Sequence, residues 1–149
     1  MAIAVYPKTK KTIFDEYLAG SGVAKTFKLL ILKSTATYDA TDEFITDVVS
    51  GSVEIDAIGY ARVTVSTITV TVSGANIILD GDDETFAAIN SGQTMGAVVI
   101  FYERTVGGAD GTSRPLVWFD GGSSPNELPK ATNGGEFTVV WPSGGILTA

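Results

Sequence analysis

Cysteine and histidine are both absent from this chain of 149 residues. Without cysteine, disulfide staples, thiolate zinc sites and thiol nucleophiles are excluded. Without histidine, the commonest general base near neutral pH and the commonest metal ligand are missing, which removes every Ser-His and Cys-His mechanism. Long hydrophobic runs are lacking too. None exceeds six residues, as in "AVVIFY" at 97–102, far short of the ~18 apolar residues that a membrane-spanning helix needs. The opening "MAIAVYPKTKK" sets its apolar residues ahead of its charges, the reverse of a secretory signal peptide, so the chain is expected to be soluble where it is made.

What is present reads as β structure. Seventeen glycines punctuate runs of alternating Val, Thr and Ile, the composition of strands joined by tight turns. The length suits one core and one domain. The expected organisation is an N-terminal arm with one short helix over residues 1–20, then an all-β domain over 21–149. That domain is expected to be an antiparallel β-sandwich of jelly-roll type. Within "KTKKTIFDEYLA" (8–19), Ile13 and Tyr17 stand at helical spacing before Gly20. "AKTFKLLILK" (24–33) puts Phe27, Leu29 and Ile31 on one face and Leu30 and Leu32 on the other, so its far end is expected to be covered on both sides. "AVVIFY" has no polar face at all and predicts a central strand. "PLVWF" (115–119) and "FTVVW" (137–141) complete the apolar runs.

One strand-like run changes phase. In "GYARVTVSTITVTVSG" (59–74) the apolar positions are odd at Val63 and Val65 but even at Ile68, Val70 and Val72. No Gly, Pro or Asn lies in "VSTI" to make a tight turn, so the phase change predicts a bulge or a bend that carries the chain from one sheet to another. "SGAN" (73–76) then predicts a hairpin.

The net charge of −7 is unevenly spread. Residues 1–33 hold six lysines against Asp15 and Glu16, a balance of +4, whereas residues 34–149 hold four basic and fifteen acidic residues, a balance of −11. The acidic body would repel phosphates, and the basic start has no interleaved aromatics, so nucleic acid is not an expected partner. A basic segment on an acidic body can meet an acidic neighbour. The long stretch 35–55 carries Asp39, Asp42, Glu43, Asp47 and Glu54. It predicts a loop with one helical turn, capped by Asp42.

Chemistry-bearing constellations are sparse. "LDGDDET" gathers Asp80, Asp82, Asp83 and Glu84, oxygen ligands of the kind calcium takes, but not at EF-hand spacing. Asp56, Glu103 and Asp120 near strand ends are the only suggestion of a glycosidase carboxylate pair. Trp118, Phe119 and Trp141 could stack on a sugar, but their apolar neighbours mark them as core. "DGGSS" and "NGGE" do not link a strand to a helix and predict no phosphate cradle. Arg62, Arg104 and Arg114 read as single ion pairs. No catalytic residue, cofactor or resident metal is expected, and the chain is not expected to be an enzyme.

In order, "KTFKLLILKS", "DEFITDVVSGSVEIDAIGYARV", "IILDGDDETFAA", "GAVVIFYER", "RPLVWFDGG" and "FTVVWPSGGIL" resemble the landmarks of small β-sandwich structural proteins of tailed bacteriophages. The likeness runs from about residue 18 to the end. It implies a capsid decoration, or cement, protein made in the host bacterial cytoplasm and seated on the capsid exterior of the virion. There it would bind the major capsid protein and clamp neighbouring subunits, with a tail or head-fibre component as the structural alternative. A homo-oligomer is expected, a trimer first, with neither nucleic acid nor membrane as partner. Val5, Tyr6, Lys8, Lys10 and Lys11 in the arm, with Asp42, Phe44 and Asp47 in the acidic loop, are the expected contact residues. A carbohydrate-binding module is the expectation from a different class.

Overall fold

The computed structural model describes residues 2–6, 26–74, 76–105, 107–121 and 127–148. The strands in these residues are β1 (Ala2–Val5), β2 (Thr26–Lys33), β3 (Val63–Thr64), β4 (Thr69–Ser73), β5 (Asn76–Asp80) and β6 (Glu84–Phe86). They continue as β7 (Thr94–Glu103), β8 (Arg114–Asp120), β9 (Lys130–Ala131), β10 (Phe137–Val139) and β11 (Leu147–Thr148). A single helical turn, α1 (Ile45–Val48), lies between β2 and β3. Among the described residues all pairings are antiparallel, consistent with an all-β fold.

The largest sheet has the order β1-β8-β7-β2-β3, with β9 also on β7. Its two longest strands are the apolar runs. Because the far end of β2 and the middle of β7 lack a polar face, both faces must be covered there, and both are. On one side Phe27, Leu29, Ile31, Val98 and Ile100 join Leu79, Phe86 and Phe137 from the two smaller sheets, β10-β6 and β11-β5-β4, and Trp141 just beyond β10. On the other, Leu30, Leu32, Val99, Phe101 and Trp118 are covered by Tyr6, Ile45 and Val48.

The phase change between Val65 and Ile68 is where the chain passes from one sheet to another. β3 pairs with β2 in the large sheet, and β4 pairs with β5 in the three-stranded one. The bend is made at Thr67, whose φ of 52° is left-handed, a region a β-branched residue seldom enters. The acidic turn holds it there: Thr67 Oγ1 donates to Asp82 Oδ2 at 2.6 Å, and Ser66 N donates to Glu84 Oε1 at 2.5 Å. Thr67→Val keeps the strain and loses the hydroxyl, and should cost about 1–2 kcal/mol. Thr67→Asn, which tolerates this φ, should stay near wild type, and urea unfolding of the two variants checks the difference.

The first residues are not a free arm. Ala2–Val5 pairs with Asp120–Val117 as an edge strand, and Tyr6 is fully buried. The expected helix over 8–19 lies outside the described residues. The "SGAN" hairpin is present, with Ser73 opposite Asn76 and Gly74 at φ 63°.

Candidate functional site

The loop over 34–55 crosses the second face of the large sheet and is fastened by its apolar residues. Ile45 and Val48 are buried beneath α1, and Ile45 N donates to Ser113 O at 3.0 Å. Its acidic residues are thereby turned outward. Asp39 Oδ1 accepts from Thr41 N at 2.8 Å and Thr41 Oγ1 at 2.7 Å, and these bonds hold its carboxyl below the ordinary value. The helical turn is capped by Asp47, not Asp42. Asp47 Oδ2 accepts from Phe44 N at 2.9 Å and Glu43 N at 3.1 Å, because a carboxylate at the third helical position reaches back over so short a helix. Asp47→Ala should cost about 1 kcal/mol, read as a lower urea midpoint.

Arg114 fixes the next two side chains. Its guanidinium lies 4.7 Å from the Phe44 ring centroid and donates from Nη1 to Glu43 Oε1 at 3.0 Å. Thr41, Asp42, Glu43, Phe44, Asp47 and Ser50 then line an open depression. Three of the expected contact residues, Asp42, Phe44 and Asp47, therefore share one surface.

Asp42 is the strained member of the group. Partial burial, followed by the nearby charges of Asp39 and Asp47, raises its pKa above the ordinary value. Raised in the folded state, it contributes stability that is fully present below the ordinary carboxylate pKa and is lost as pH rises through the raised one. Asp42→Asn should thus melt about 1–2 °C higher at pH 7, a fraction of a kcal/mol, with the gain vanishing near pH 3.

The remaining expected contacts separate. Tyr6 belongs to the core: its ring centroid lies 5.0 Å from that of Tyr38, and burial is the main cause of its raised pKa. A contact role for its side chain is corrected accordingly, since the strand pairing of β1 carries it beneath the 34–55 loop. Val5 lies opposite Val117 in that pairing, and Lys8, Lys10 and Lys11 lie outside the described residues.

The other constellations have structural partners. Asp83 Oδ1 accepts from Trp141 N at 2.9 Å, and the Asp82 carbonyl accepts from Trp141 Nε1 at 2.8 Å. The acidic turn therefore joins the Thr67 bend to Trp141, two residues beyond β10. Among the described residues no group of three or more potential ligands is placed to hold a metal ion. Glu103 pairs with Lys28 at 2.7 Å, Asp120 accepts from Trp118 Nε1 at 2.8 Å, and Asp56 bonds Gln93 and Lys33. Trp118, Phe119 and Trp141 are 2, 3 and 8 % exposed, which removes them as a sugar platform.

Sequence reasoning missed a dense polar network among the described residues. Arg62 grips Glu54 through Nε (2.8 Å) and Nη2 (2.7 Å), and Asp110 through Nη1 (2.5 Å) and Nη2 (2.9 Å). Tyr60 donates to Glu54 Oε1 at 2.8 Å and accepts from Ile31 N at 3.0 Å. The grouping of Glu54, Tyr60 and Arg62 within nine residues was a readable signal, whereas Asp110 is 48 residues from Arg62. No family model matches this chain, and neither does a curated protein or a solved structure.

Proposed function

We propose that this chain is a non-catalytic structural protein of a bacteriophage virion, a decoration protein on the outer surface of the head that braces contacts between capsid subunits. The observation that carries the reading is the acidic depression on α1. Asp42, Glu43, Phe44 and Asp47 are presented on a loop pinned by Ile45 and Val48 to a doubly covered sheet, a rigid surface suited to contact rather than turnover. The resemblance of the ordered sequence landmarks supplies the partner, the major capsid protein. The architecture proposed is a sandwich, in which the large sheet faces the two smaller ones across the core that contains Leu29, Ile100 and Phe137.

Heads lacking the protein, mixed with purified chain and sedimented, test this. The wild type should pellet with the heads and raise their melting temperature. Asp42→Lys reverses one charge on the depression without removing a side-chain cap, and should lower occupancy at least tenfold while the isolated chain stays folded. Equal binding by both proteins would remove the depression from the contact, and no binding by either would end the reading.

A further inference from the structure

We infer that β4 is a self-pairing edge, through which two copies of this chain join their three-stranded sheets about a two-fold axis. The inference goes beyond the virion reading and stands independently of it. Among the described residues β4 is the outer strand of the sheet β11-β5-β4. Its pairing with β5 runs without a register shift from Thr69 opposite Asp80 to Ser73 opposite Asn76. In a two-residue hairpin the closing pair exchanges both of its hydrogen bonds. Thr69, Thr71 and Ser73 therefore direct their backbone groups to β5, and Val70 and Val72 direct theirs to the open edge.

Exposed edges are commonly guarded by lysine, proline, a bulge or a covering segment. β4 has no charged residue, no proline and no bulge, and residues 63–79 contain no charged side chain at all. In a chain of net charge −7, this neutral edge is where a second copy can approach with little like-charge repulsion.

The sequence of β4, Thr-Val-Thr-Val-Ser, also reads nearly the same in both directions about Thr71. Antiparallel pairing centred there places Thr71 opposite Thr71 of the second copy, Val70 opposite Val72, and Thr69 opposite Ser73. Hydroxyl residues meet hydroxyl residues and valines meet valines, the cross-strand matches that stabilise a sheet. Thr69, Thr71 and Ser73 are all exposed, so no core group must move. Such a contact is isologous, giving a pair where the resemblance suggested a trimer. At the strand ends the neutral hairpin tip at Gly74 meets the partner near Thr69, so carboxylate does not face carboxylate.

Because the chain has no cysteine, single substitutions report the register directly. At the centre of such a pair the two Cα atoms are ~4.5 Å apart, within the ~4.4–6.8 Å that a disulfide spans. Thr71→Cys should form a disulfide-linked dimer nearly completely under mild oxidation. Ser73→Cys, whose two copies would lie more than ~13 Å apart at ~3.4 Å per residue, should stay mostly unlinked. In sedimentation equilibrium the wild type should show twice the monomer mass, and Thr71→Lys, which sets like charges face to face, should dissociate with an unchanged circular dichroism spectrum. A wild type that is monomeric or trimeric, an assembly untouched by Thr71→Lys, or equal cross-linking at 71 and 73 would each overturn the inference.

Discussion

Trp118→Ala should lose about 3–5 kcal/mol of stability, the usual cost of emptying a large aromatic site in a core. The ring is 2 % exposed and shares the second face of the large sheet with Leu30, Val99 and Phe101. It meets Tyr38 edge-on at 6.0 Å between centroids, and its Nε1 donates to Asp120 Oδ2 at 2.8 Å. Alanine removes all of these contacts and leaves Asp120 without its indole donor. Against the ~5–15 kcal/mol that holds a typical domain together, that loss is a large share, and at this chain length it corresponds to a fall in Tm of roughly 10 °C. Thermal unfolding measures it, with a glycan array run on the same samples. A variant of wild-type stability that had lost binding to a glycan would restore the sugar-stacking reading and contradict the burial seen here.

Arg62→Met should cost about 3 kcal/mol. The guanidinium holds Glu54 and Asp110 at once and lies 5.3 Å from the Phe101 ring centroid. Its hydrogen bonds to the Glu54 carboxylate are the main cause that raises its pKa, with burial opposing them. Removing it leaves two carboxylates, 21 and 33 % exposed, facing each other without a cation. Orphaning a buried charge costs ~3–5 kcal/mol, and the residual exposure places this case at the low end. Arg62→Lys should recover only part of the loss, because one ammonium cannot make two bidentate contacts. Adding Glu54→Gln and Asp110→Asn to Arg62→Met should restore more than half of it. If the triple variant is no better than Arg62→Met, uncompensated charge is not the source of the cost.

The parts of the fold legible in the sequence were those written in local pattern. The apolar run 97–102 had to be central because it has no polar face, and it is. The two faces of 24–33 could be read residue by residue, and the phase change at Ser66 and Thr67 marked the passage between sheets before any pairing was known. Pairing across long separations left no such trace. Residues 2–6 resembled an arm because four or five residues of Ala, Ile and Val are too short to declare a strand; the partner that makes them one, β8, begins over a hundred residues later. The cap of α1 was assigned to Asp42 from its position before the turn, but Asp47 reaches back from within it. Only its acidic, loop-borne character was readable at the depression, since Arg114, which fixes Phe44 and Glu43, comes from β8.

The central claim is that this chain works by contact on the outside of a phage head. Quantitative mass spectrometry of virions purified from its source, counting the chain against the major capsid protein, tests it most directly. The account predicts a copy number of the same order as that of the capsid protein. A count of a few copies per particle would place the chain in the tail or a fibre instead, and its absence from the particle would contradict the virion reading altogether.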